Sequence, residues 1–133
     1  AADGPDGRPL VRAAHDLSNG GLVQSLVDSA LRFGIGGVFD VAGAARRDCV
    51  GDHEMLLSES QARAFVAVPE AALKAVFAAA EAEGVDAVRI GTTGGDMLAI
   101  SGVDLLAAEG EGCGWIASID ELRELSETGR KYF

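Results

Sequence analysis

AAHDLSNGGLVQSLVDSAL, residues 13–31, places a histidine, an aspartate, a serine, an asparagine and two glycines directly before a periodic apolar run. Leu22, Val23, Leu26, Val27, Ala30 and Leu31 recur at i, i+3 and i+4, so the spacing predicts a helix over residues 21–33 that Gly34 ends. LVRAA, residues 10–14, reads as a short entering strand. Asp16, Ser18 and Asn19 carry short oxygens that bond nearby backbone N–H groups, while Gly20 and Gly21 permit backbone angles closed to other residues. Two readings of this turn stand side by side. It is a structural cap, or its exposed N–H donors at a helix N-terminus receive a phosphate, with His15 and Asp16 as further polar contacts.

Further along, GIGGVFDVAG suggests a strand near residues 37–41, and the polar stretch 44–56 reads as a loop. In RAFVAV, Phe65, Val66 and Val68 suit a buried strand. Pro69 then opens a helix at its first position, with Leu73, Val76, Phe77 and Ala80 on one face and Gly84 as its stop. VDAVRIG and MLAISG around TTGGD read as a hairpin, and WIAS as a short strand. Ser118 begins S-I-D-E, a capping box in which Glu121 reaches back to the cap of a last helix. The order β-α-β-β-α-β-β-β-α mixes hairpins with crossovers. It predicts an α+β domain, a mixed β-sheet packed by helices that bury Leu22, Leu26, Leu73, Val76 and Phe77.

The chain has 133 residues, enough for one core. Residues 1–9 contain two of its three prolines and read as a flexible N-terminal segment or linker stump, with the domain itself over 10–133. A formal net charge of −10 opposes non-specific attraction to nucleic acid or an anionic membrane, so any phosphate must be held by local dipoles. Cys49 and Cys113 show no metal or redox spacing and read as free thiols of a cytoplasmic protein. No apolar run approaches the roughly 20 residues that span a bilayer.

Self-contained catalytic patterns are missing. GIGG is not followed by G-K-[ST], and no G-x-S-x-G elbow occurs. His53 in GDHE reads as a solvated loop histidine rather than a metal ligand, and adjacent His15 and Asp16 diverge if extended. No catalytic or metal-binding residue is assigned. Glu59, Ser60 and Gln61 offer a carboxylate, a hydroxyl and an amide beside an apolar strand, which suits a ribose or glycinamide-like ligand. They equally suit a strand end with Glu59 and Gln61 solvated.

AHDLSNGGL (14–22), followed about forty residues on by LLSESQARAFVAV (56–68), resembles the phosphoribosylformylglycinamidine synthases. These belong to the wider aminoimidazole ribonucleotide synthetase superfamily, whose carboxy-terminal domains carry an Asp-x-Ser/Thr-x-Gly-Gly-Leu turn before a helix. The resemblance covers most of residues 10–133 and implies the fold of that carboxy-terminal domain. It implies ATP-dependent amidation of formylglycinamide ribonucleotide in purine biosynthesis, with ATP and magnesium used by the full enzyme and none expected in the isolated domain. Implied partners are the preceding domains of the same synthetase and a glutaminase subunit. The large synthetase carries two copies of paired domains, and AHDLSNGGL is similar to the second, auxiliary copy; the first has a Gln-Asp-x-Gly-Ala-Ala-Gly-Leu turn. By resemblance, His15, Asp16, Ser18, Asn19, Gly20, Gly21, Glu59, Ser60 and Gln61 are substrate- or nucleotide-binding positions. The catalytic histidine and magnesium carboxylates belong to amino-terminal domains, so these residues alone are expected to be inactive. A free-standing, non-catalytic nucleotide-binding or assembly module of the same fold, or another superfamily member, is the alternative.

Overall fold

The computed structural model describes residues 7–48, 50–59, 61–102 and 114–130. Most of residues 1–9, Cys49, Ser60 and Cys113 lie outside the described residues, as do all but the last of residues 109–114. Two sheets form, packed with helices, and the α+β expectation holds. Strand β1 (Ala13–Asp16) pairs antiparallel with β3 (Ala64–Ala67) as a two-stranded ribbon. The second sheet has the order β4-β2-β5-β6, built from β2 (Gly37–Asp40), β4 (Gly91–Thr93), β5 (Met97–Ser101) and β6 (Gly114–Ser118). Among the described residues only the β2/β5 pair is parallel, so the sheet is mixed.

Helix α1 (Gly21–Phe33) forms over the range its periodicity predicts and ends at Gly34, whose positive φ lets its N–H reach the Ala30 carbonyl. Its buried stripe is Leu22, Leu26 and Ala30. That stripe meets Phe39, Leu98 and Ile100 from alternate positions of β2 and β5, together with Leu122 of α5 (Ile119–Arg130). Period 3.6 on the helix and period 2 on the strands thus supply the two faces of one core.

Val66 of β3, expected in a buried strand, is 46% exposed, and four further expectations change. Residues 44–56 are not a loop: α2 (Ala42–Asp48) and α3 (Asp52–Leu57) occupy them. Each is too short for a periodic signal, and tertiary burial of Ala44, Met55 and Leu56 holds them in place. The Asp40 carboxylate accepts the Ala42 N–H at 2.9 Å and starts α2. The 85–102 hairpin does not form either, because β2 lies between β4 and β5. Gly36 explains the insertion: a Cβ there would overlap the Met97 backbone, so only glycine lets β5 approach so closely. The first strand starts at Ala13 rather than near Leu10.

The fourth correction concerns the helix after Pro69. A 3-10 turn (Glu70–Ala72) comes first and α4 (Leu73–Ala82) follows it. Leu22 and Leu26 are buried as expected, but no residue of α4 is; Leu73 and Val76 are half-buried and Phe77 is 39% exposed. The apolar face of α4 borders a cleft instead of a packed neighbour.

The S-I-D-E capping box forms as read. The Glu121 N–H donates to Ser118 Oγ at 3.2 Å, while the Ser118 N–H and hydroxyl donate to Glu121 Oε2 at 2.7 and 2.8 Å. The backbone and side-chain hydrogen bonds from Ser118 favour the charged carboxylate and hold Glu121 below the usual glutamate range near 4.5. A depressed folded value means that the cap's contribution is complete above that range and lost as the pH falls through the lowered value. The Glu121 carboxyl resonance is expected to titrate at lower pH in the native chain than in Ser118→Ala. Coincident NMR titrations would show that the box does not form in solution.

Candidate functional site

Antiparallel pairing of β1 with β3 decides where the two polar motifs meet. DLSNGG leaves the C-terminal end of β1 and SESQ leads into the N-terminal end of β3, and antiparallel strands place those ends together. His15 faces Phe65 and Asp16 faces Ala64 across the ribbon. The contact is direct: the Gly20 N–H donates to Glu59 Oε1 at 2.7 Å, across 39 residues of sequence.

This answers half of the question raised by the turn. None of Asp16, Ser18 or Asn19 is the N-cap; Gly20 holds that position in the left-handed region (φ 76°) with no side-chain cap bond. Instead, the Ser18 hydroxyl donates to the Asp16 carboxylate, closing the turn on itself. The Glu59 carboxylate supplies the negative charge that a helix N-terminus favours. Gly21 (φ 72°) is buried against α3, where a Cβ would lie 2.6 Å from the Leu56 carbonyl oxygen and the Leu57 carbonyl carbon. Both glycines are therefore required by geometry.

His15 stacks on Phe65 with ring centroids 5.6 Å apart and planes within 8°. Its Nδ1 lies 2.6 Å from the Asp16 carbonyl oxygen and 3.6 Å from Asp16 Oδ1. With Nδ1–H donated to the carbonyl, a neutral ring keeps its lone pair on Nε2. His15 and Phe65 both border the cleft, of about 1350 Å³, that also takes in Leu73, Val76 and Phe77 of α4. Gly20 and Glu59 do not line it, so the site has two adjoining parts joined through His15. Asn19 and Gln61 are exposed at the turn end; Ser60 lies outside the described residues.

Two contributors carry no local sequence signal. Ser25 is fully buried, and its hydroxyl lies 3.1 Å from the Asp16 carbonyl and 2.9 Å from the Gly21 carbonyl, tying the first turn of α1 to the end of β1. Arg63 accepts the Leu17 N–H through its backbone carbonyl, while its guanidinium reaches Asp48 at 4.0 Å and the Met55 sulfur at 3.5 Å. A helical serine and an arginine before a strand could sit anywhere. Only the ribbon shows that they brace the turn.

Among the described residues, no three His, Cys, Asp or Glu side chains converge as metal ligands. Nor, among them, is any helix long and apolar enough to cross a membrane. The described groups at the turn offer hydrogen bonding and charge. Glu59→Ala is expected to lower stability by about 1 kcal/mol, with Glu59→Gln losing about half of that. Gly20 amide exchange should accelerate in both variants, and unchanged exchange in Glu59→Ala would refute the contact.

Comparison with known proteins bears on the same segments. Three relatives are each named phosphoribosylformylglycinamidine synthase subunit PurL. The protein from Renibacterium salmoninarum is 41% identical over 125 residues, covering 93% of this chain and 15% of the relative. That from a Nocardioides species is 45% identical over 93 residues, 70% of this chain and 12% of the relative. That from Leifsonia xyli is 44% identical over 84 residues, 63% and 11%. The chain thus spans about 15% or less of the length of these relatives. A family model described as "AIR synthase related protein, C-terminal domain" matches residues 3–102, taking in the ribbon, α1 and both motifs. With three quarters of its length inside that match, the chain belongs to the AIR synthase related protein family as a C-terminal domain.

Proposed function

We propose that this domain serves phosphoribosylformylglycinamidine synthase activity, the ATP-dependent amidation of formylglycinamide ribonucleotide in purine biosynthesis, as a cytoplasmic carbon–nitrogen ligase domain that is inactive alone. The observation carrying this reading is the 41% identity to such a synthase subunit across 93% of the chain. The geometry supports a binding role rather than a reacting one. The turn Asp16–Gly21 lies with Glu59 and Gln61 at one end of the ribbon and presents hydroxyl, amide and carboxylate groups, with His15 at the edge of the cleft. His15, Asp16, Ser18, Asn19, Gly20, Gly21, Glu59, Ser60 and Gln61 are the substrate- or nucleotide-binding positions in this reading. An incoming phosphate at Gly20 would displace the Glu59 carboxylate, which already holds that N–H.

In this reading the preceding domains of the synthetase and a glutaminase subunit complete the machinery, and the nucleophile, base and magnesium ligands come from those domains. ATP and magnesium serve the full enzyme, and the domain by itself binds neither as a resident cofactor. The negative charge of the chain fits the exclusion of nucleic acid and anionic membranes as partners.

The test has two arms. Residues 1–133 alone should release no phosphate from ATP in the presence of ammonia and formylglycinamide ribonucleotide. A full-length synthetase containing this domain should turn over and lose at least tenfold in kcat/KM on Gln61→Ala, a substitution at an exposed position. Turnover by the isolated domain above a no-protein control refutes the first arm. An unchanged Gln61→Ala enzyme removes that segment from the binding surface.

A further inference from the structure

We draw no further inference here: the strongest candidate, the apolar row Val38, Ala99 and Ile116 across the outer face of the four-stranded sheet, is an unpartnered face, and nothing in the structure shows what covers it.

Discussion

Replacing Gly21 by alanine is expected to destabilise the domain by about 3 kcal/mol or more and to separate α1 from α3. Two costs add. A left-handed φ of 72° costs an L-residue about 1–2 kcal/mol. The new Cβ would also stand 2.6 Å from two backbone atoms of Leu56 and Leu57, a clash that side-chain rotation cannot relieve and that adds about 1–3 kcal/mol. Against a total stability of about 5–15 kcal/mol this is a large fraction. Gly20→Ala provides the comparison: its φ is similarly left-handed at 76° and its Cβ would stand 2.6 Å from the Cβ of Gln24, but that contact lies within an exposed first turn rather than in the seam between two helices. Gly20→Ala should therefore cost the backbone term of about 1–2 kcal/mol plus a contact that a shift of the half-exposed turn relieves, and so less than Gly21→Ala. Urea denaturation of both variants checks the order. If Gly20→Ala is the more damaging, the close approach of α1 to α3 is not what Gly21 serves. The site should follow the fold: Gly21→Ala is expected to speed Gly20 amide exchange by moving Glu59 away from its donor.

That pair of glycines also shows how far the sequence can be read. The i, i+3, i+4 spacing and Gly34 located α1, since both signals act within one helix. Ser118 and Glu121 were equally legible, their hydrogen bonds spanning three residues. The cap of α1 was not. Asp16, Ser18 and Asn19 are all good cap residues by type, yet the negative charge at the helix start comes from Glu59, brought there by a strand pairing with no local signature. The same limit explains β4, whose neighbour is β2 rather than β5: TTGGD is a sound hairpin turn, and local turn chemistry says nothing of a strand inserted between its arms. Helices α2 and α3 lie below the length at which periodicity speaks, and their burial is supplied by α1 and the sheet. Of the site, the two motifs were visible and their juxtaposition was not. Ser25 and Arg63, which brace the turn, became visible only once the ribbon placed them.

Leu98→Ala is expected to cost about 4 kcal/mol, near the upper end of the range for large-to-small core changes. Leu98 is 1% exposed on β5, between β2 and β6. Its register partners are Gly37 on one side and Ala117 on the other, and neither has a side chain that could fill the space Leu98 leaves. Truncation would leave a row of Gly, Ala and Ala. Small neighbours cannot expand into the void, and a cavity that fails to collapse keeps its full cost. Ile100, two residues on, has Phe39 and Trp115 as register partners, large rings able to shift inward, so Ile100→Ala should cost less than Leu98→Ala. Phe77→Ala should cost least, about 1 kcal/mol, although phenylalanine is the largest of the three side chains. At 39% exposure beside the cleft, Phe77 has already given up much of the transfer and packing energy that a buried ring would hold. Its periodicity marks it as core, but among the described residues none of α4 is buried. Chemical denaturation of the three variants gives the order directly. A loss for Phe77→Ala matching that of Leu98→Ala would show that the α4 face is closed against other apolar groups in solution, and that the sequence pattern described this helix better than its observed exposure does.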